Sequence, residues 1–332
     1  MTTRVRIVTI GALAILAASP VAGYLKLGSR LGNQTVTLRW RNFPVRYFVT
    51  DRGVDQVSAQ QFQTALTRAF STWHAAETAT TSSQLVGFTQ AQPGDDDDMS
   101  VIGFRSQPAQ NRTLAATSFF IDTQDGRILE SDIFFNTVFP WSTSEAGVTG
   151  RFDIESIAVH ELGHLLGLSH SALGETELNS GGRRVLGAAS VMFPIAFAPG
   201  NIDDRSLKAD DIAGISDIYG TPAFTRGFGS ISGRVTKNGQ GVLGAHIVAF
   251  NPATGNMVGG FSLSADGSFV IAGLEPGPHV LRAEPLDDGD IESFFDDSLD
   301  VDLDFNVKIH ERAVVVPRGG GTRGVEIRVT PK

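Results

Sequence analysis

The 332-residue sequence contains no cysteine. Disulfides, thiolate metal ligands and a lipid-anchored amino-terminal cysteine are therefore excluded. Stability must come from buried core, and the chain is long enough to supply it. Histidine is scarce as well, seven in all, and Tyr and Trp number three each beside 22 Phe. There is no basic patch: the formal net charge is −9 and the acidic residues are spread along the chain. That pattern excludes nucleic acid as an expected partner and reads as a solubilising surface.

Long apolar runs are also missing, apart from residues 7–18, which are too short to span a bilayer of about 30 Å at ~1.5 Å per residue. No stable membrane insertion is expected. With Arg4 and Arg6 before it and small residues near Ala22 and Gly23, the run reads as a secretory signal over residues 1–23. An uncleaved anchor is the alternative. Export without disulfides fits a bacterial product, secreted or held at the cell envelope.

Against these absences, three of the seven histidines fall in one eleven-residue stretch, HELGHLLGLSH, from His160 to His170. His160 and His164 are four apart, so on a helix they leave the same face one turn apart and can reach a single metal. Ile154, Ile157, Ala158, Leu165 and Leu166 recur at helical intervals, and Asp153 is a candidate N-cap, which predicts a buried helix over residues 153–166. Gly167 ends it, because a residue without Cβ turns through the left-handed region and can swing His170 back toward the other two. Three imidazoles leave one position open, as a catalytic zinc requires. Glu161, beside a ligand, is placed to act as general base. A bare HExxH also fits a core helix with stray histidines; Gly167 and His170 weigh against that.

HELGHLLGLSH resembles the zinc motif of the metzincins, and its Leu-Ser-His ending is nearest the matrixins, the family of the matrix metalloproteinases. The resemblance implies an α+β, metzincin-type zinc peptidase domain with a twisted mixed sheet, an active-site helix, a Met-turn and a closing helix. It implies a secreted endopeptidase acting on protein or peptide substrates with one catalytic Zn²⁺.

The rest of the chain extends the resemblance over about residues 36–220. Residues 36–40 and 45–49 read as extended segments. Phe62, Ala65, Leu66, Ala69, Phe70 and Trp73 mark an amphipathic helix, with Ser58 as candidate N-cap. Strands are expected near 85–88, 99–104, 113–121 and 127–136, the last two joined by a turn at Asp125-Gly126. In the family, Leu114, Ala115 and Ala116 would lie on the edge strand beside the zinc, where a peptide substrate pairs by strand addition. Ser190-Val191-Met192-Phe193-Pro194 resembles the Met-turn, which places Met192 beneath the ligands. Residues 207–220 read as a helix closed by Gly220, and resemble the family's closing helix, where the acids at Asp210 and Asp211 brace the Met-turn. Their plainer reading is carboxylates at a helix N-terminus.

The sequence also departs from the family. No histidine lies between His74 and His160, so the second, structural zinc of the animal enzymes is not expected. The family's inhibitory cysteine cannot exist, and any latency needs another device. The segment 171–189 is polar, Gly-rich and long, and reads as a loop near the substrate cleft. Asp95, Asp96, Asp97 and Asp98 could hold Ca²⁺, though a solvated acidic turn explains them as well because the spaced ligands of a calcium loop are missing.

Past residue 222 the composition shifts to Gly, Val and short β runs. Runs near 231–235, 245–250, 267–271, 278–283, 312–316 and 324–329, separated by Asn-Gly, Asp-Gly and Pro-Gly turns, predict an all-β sandwich domain. It resembles carboxypeptidase-regulatory-like modules, with an acidic insertion at about 287–304. The expected organisation is a signal peptide (1–23), a short linker (24–35), a zinc peptidase domain (36–222), a second linker (223–228) and a β-sandwich domain (229–332). His246, His279 and His310 are too dispersed for a metal site and read as structural or surface residues. The sandwich could dock to substrate or to the cell surface. The competing function is an extracellular binding or adhesion protein whose sandwich carries the activity and whose zinc domain is a scaffold.

Overall fold

The computed structural model describes residues 4–9, 26–31, 34–122, 124–180, 182–295 and 299–332. Most of the expected leader, residues 10–23, lies outside them, as do three residues of the acidic insertion.

Helix α1 (Ala59–His74) starts at a capping box in which Ser58 Oγ accepts from the Gln61 amide at 3.2 Å and Gln61 Oε1 accepts from the Ser58 amide at 2.9 Å. Satisfying two otherwise orphaned donors fixes where the helix begins. Its six apolar residues, Phe62 through Trp73, are all buried. They pack on one face of a six-stranded sheet whose spatial order is Arg4–Thr9, Ala115–Asp122, Ile128–Asn136, Val101–Arg105, Val45–Thr50, Ser83–Thr89. The four strands from Ile128–Asn136 outward run parallel, whereas Ala115–Asp122 is antiparallel to both of its neighbours. The sheet is therefore mixed, with its antiparallel end nearest the histidine helix.

That helix, α2 (Ile154–Leu165), is capped by Asp153, whose Oδ2 accepts from the Ser156 amide at 2.8 Å. Arg205 grips the same carboxylate through Nε at 2.8 Å and Nη2 at 2.6 Å. Such bidentate pairing neutralises an acid whose side chain is 1% exposed. Trp73 Nε1 donates to the Val159 carbonyl at 2.8 Å and ties α1 to α2. At the far end, Gly167 has φ 101°, and a Cβ there would lie 2.5 Å from the Leu38 carbonyl oxygen. Both the conformation and the space require glycine.

Two features were not anticipated from the sequence. The strand Arg4–Thr9, from the stretch read as leader, pairs antiparallel with Asp122–Thr117. The polar segment after His170 is a hairpin, Gly174–Asn179 with Gly182–Ala188.

Helix α3 (Ala209–Tyr219) and the short α4 (Pro222–Gly227) lead into residues 229–332. There, Gly229–Lys237 pairs with Gln240–Gly241, Ser268–Leu274 and, in parallel, Gly321–Val329. A second sheet has the order Met257–Phe261, His246–Phe250, Gly277–Glu284, Lys308–Ile309, with Val314–Val316 also on Gly277–Glu284. The sequence did not indicate Met257–Phe261, whose Gly259 and Gly260 mute the strand signal. Buried residues of both sheets, among them Ile231, Ile271, Ile247 and Leu281, belong to one hydrophobic cluster with Phe62, Leu162 and Ile215. The core thus runs without a break from the six-stranded sheet to the last strand.

Candidate active site

His160 and His164 lie on α2, and the Gly167 turn returns His170 to them. Leu168 N donates back to the Gly163 carbonyl at 3.0 Å, closing the turn. Ring centroids are 4.8 Å apart for His160–His164 and His164–His170 and 5.4 Å for His160–His170. One ligand atom from each lies within 4.8 Å of the others, and among the described residues this is the group of metal-binding side chains with that convergence.

Each imidazole is oriented by a backbone carbonyl. Nδ1 of His160 bonds the Val191 carbonyl at 2.8 Å, that of His164 the Leu168 carbonyl at 2.8 Å, and that of His170 the Ser293 carbonyl at 2.7 Å. A carbonyl only accepts, so every Nδ1 carries the proton and every Nε2 keeps its lone pair. Burial lowers all three basicities: His164 falls well below its ordinary value and His170 to about 3, with the neighbouring imidazoles adding to the effect. Three neutral, convergent nitrogen donors fit a zinc ion.

Glu161 is 5% exposed, and its Oε2 accepts from Thr117 Oγ1 at 2.6 Å. Burial pushes its carboxyl up to about 7, with the Thr117 hydroxyl pulling the other way. A carboxylate poised there can exchange a proton near neutrality. Thr117 escaped the sequence reading, although it directly follows Ala116. Ala115 and Ala116 pair through Phe135 and Phe134 with the inner strand, and Asn136 N donates to the Leu114 carbonyl at 2.8 Å. The Arg4–Thr9 strand ends opposite Thr117, short of these three residues.

Met192 is 2% exposed and packs under α2 at Gly163, where a Cβ would come within 2.3 Å of Met192 Sδ and 2.8 Å of Trp73 Cζ2. Gly163, between the two helical histidines, is the missing side chain that admits the sulfur. Asp211 holds the Met-turn, accepting from Ser190 Oγ at 2.6 Å and from the Val191 amide at 3.1 Å. Asp210 accepts from the Gly259 amide at 2.8 Å and also bonds the side chains of Ser171 and Ser190, so both acids reach the Met-turn. Burial raises both carboxyls, Asp211 to about 7.

The remaining candidates stand apart. His246 is buried against Glu284 at 2.9 Å, and the Nδ1 atoms of His279 and His310 lie against the carbonyls of Gly277 and Arg312. Asp97 Oδ1 accepts from the Met99 amide at 3.1 Å within the acidic turn. The sheet-end carboxylate that organises this loop is Asp132, which receives the amides of Gly94 and Val101 at 2.8 and 2.7 Å.

The matrixin family model (Peptidase_M10) matches residues 39–220. Metalloendoproteinase 2-MMP of Arabidopsis thaliana is 28% identical over 170 residues, covering 48% of this chain and 38% of that protein. Metalloendoproteinase 1 of Glycine max is 29% identical over 171 residues, covering 48% and 46%. Matrix metalloproteinase-15 of Homo sapiens is 33% identical over 94 residues, covering 28% and 12%. The chain spans less than half the length of each of these relatives. A solved structure, the Bacillus anthracis TIE protein, aligns at 13% identity over 32% of this chain and 17% of that one, with a TM-score of 0.22.

Proposed function

Because the chain belongs to the matrixin family, we propose that it is an exported zinc endopeptidase, with His160, His164 and His170 holding the metal and Glu161 as general base. The observation that carries this is the shared orientation of the three imidazoles, each with Nδ1 bonded to a carbonyl, beside a buried carboxylate. Zinc held there would supply Lewis acidity, polarising a peptide carbonyl and making water easier to deprotonate.

The chain's own residues do the rest. Glu161 takes a proton from the attacking water and returns it to the leaving amine nitrogen. Thr117 fixes one carboxylate oxygen and so aims the other. Burial raises the Glu161 carboxyl to about 7, so it can take up and give back a proton near neutrality. A peptide would lie along the edge at Leu114, Ala115 and Ala116, running antiparallel as Arg4–Thr9 runs along Thr117–Asp122. Met192 is the apolar floor. Residues 36–222 would form the peptidase domain and residues 229–332 an all-β sandwich beside it, their two sheets sharing a core.

The test is zinc content and cleavage of a diverse peptide library by the purified protein and its Glu161→Gln variant, with a chelator control. The expected result is zinc retained and cleavage abolished in the variant. Undiminished cleavage would remove Glu161 from its role, and a parent protein that binds no zinc would overturn the metal centre.

A further inference from the structure

Two of the three histidine orienters come from the stretch that matches the family. The Leu168 carbonyl belongs to the exit of α2 and the Val191 carbonyl to the Met-turn. The third does not: His170 Nδ1 bonds the carbonyl of Ser293, 123 residues away and beyond the matched residues 39–220. We propose that the turn Ile291–Ser293 is a positioning element of the metal centre, and that residues 229–332 complete that centre rather than only docking or stabilising. The inference rests on the zinc reading above.

The loop is built to hold that carbonyl in place. Ile291–Ser293 forms a 3-10 turn in which Ser293 N donates to the Asp290 carbonyl and Phe294 N to the Ile291 carbonyl, both at 2.9 Å. The next two residues, Phe294 and Phe295, are each 2% exposed and join Phe261, Leu286 and Ala172 in a separate apolar cluster. Ala172 stands two residues past His170, so the cluster clamps the ligand's own strand of chain to the turn. Phe294 also places its ring edge-on to the His170 imidazole, with centroids 6.4 Å apart at 73°.

Polar contacts secure the other side. Asp288 Oδ1 accepts from the Thr176 amide at 2.6 Å, and its carbonyl accepts from Thr176 Oγ1 at 3.0 Å. Arg183 Nη1 donates to the Asp287 carbonyl at 2.8 Å. The hairpin that follows His170 is therefore fastened to the same loop on both strands. Below it, a Cβ on Gly259 would meet Leu173 Cγ at 3.1 Å, and the Gly259 amide reaches Asp210. The third ligand is thus enclosed by residues of the β region. With its Nδ1 partner displaced, the imidazole would lose both its fixed tautomer and its direction, and removing such a partner typically weakens metal binding about 10–100-fold.

The experiment uses the full chain carrying Glu161→Gln, to prevent self-cleavage, loaded with Zn²⁺ or with Co²⁺. It reads the rate of Zn²⁺ loss to excess chelator and the visible Co²⁺ spectrum. Phe294→Ala should release zinc about 10–100-fold faster and shift the Co²⁺ bands, while Phe294→Leu, which refills most of the space, should restore most of both. Val316→Ala is the control. It is a buried residue of the same region but sits opposite Gly277, about 20 Å along the strand from Glu284 at ~3.3 Å per residue, and should leave both readouts at parental values. If Phe294→Ala does not fold, Asp288→Ala takes its place with the same expected direction. Parental zinc loss and spectrum in the loop variants would overturn the proposal, as would an equal change in Val316→Ala. A parent chain that takes up no metal is a separate result, which removes the metal centre itself.

Discussion

Thr117 and Glu161 meet across the join between sheet and helix, with the threonine hydroxyl 2.6 Å from Glu161 Oε2 and 3.2 Å from the Glu161 carbonyl. A hydrogen bond to an ionised group contributes about 1.5–3 kcal/mol. Thr117→Val should therefore lower kcat by roughly 10–100-fold while leaving zinc content intact, and Thr117→Ser should recover most of the loss. Steady-state kinetics with metal analysis decide it; a kcat unchanged in the valine variant would mean the hydroxyl only packs.

Gly163 has no room for a methyl group, since Met192 Sδ and Trp73 Cζ2 would stand 2.3 and 2.8 Å from its Cβ. Overpacking of this kind costs about 1–3 kcal/mol. Gly163→Ala is expected to lower the urea midpoint accordingly. In a Met192→Ala background the same change should cost less, because one of the two obstructions is gone. Equal costs in both backgrounds would count against direct packing of the sulfur on the helix.

Glu130 is fully buried in the sheet, and desolvation together with Asp132 and the Asp96–Asp97 carboxylates pushes its carboxyl up to about 8 from an ordinary 4.5. Between those two pH values the folded chain keeps a proton that the unfolded chain gives up, so this group's contribution to stability falls as pH rises from about 4.5 to about 8. Glu130→Gln should flatten that slope and be the more stable protein at alkaline pH by about 1–3 kcal/mol. Denaturation of both proteins at about pH 5.5 and about pH 8.5, on either side of the folded-state titration, gives the comparison, and parallel behaviour would show that Glu130 is not a neutral acid in the fold.

Arg205 is the counter-ion of the α2 cap: besides Asp153 it donates to the carbonyls of Ser144 at 2.7 Å and Glu145 at 3.1 Å. Removing one partner of a buried pair costs about 3–5 kcal/mol because the other charge is left uncompensated. Arg205→Ala should fall in that range, and adding Asp153→Asn should recover part of it. Arg205→Lys is expected to be intermediate, since a point charge cannot reproduce the two-pronged grip. Thermal unfolding of the four proteins is sufficient.

The histidine helix was legible because its residues are local: a four-residue spacing, a glycine exit and a capping acid sit within 18 residues of sequence, from Asp153 to His170. The apolar stripe of α1 was legible for the same reason, and all six of its members are buried. What was not legible is carried by groups without side-chain identity. The carbonyls of Val191, Leu168 and Ser293 fix the tautomers, yet any residue at those positions would offer the same oxygen. Thr117 looked like one more β-former in a strand. The hairpin after His170 lacked the alternating pattern of a half-buried strand, since most of Gly174–Asn179 is exposed. The acidic stretch near 287–304 advertised its charge and concealed Phe294 and Phe295, which are the residues that bury.

The bond between His170 and Ser293 also sets an order of events. A polypeptide emerges from its amino terminus, so all three histidines exist as chain long before the oxygen that turns the last of them. Ser293 lies 123 residues beyond His170, a stretch that takes about 6–25 s to add at about 5–20 residues per second. A nascent chain therefore carries Glu161 and the carbonyl partners of two imidazoles for several seconds before the third partner exists. The site is finished late, only after the strands from Gly229–Lys237 to Gly277–Glu284 have been made.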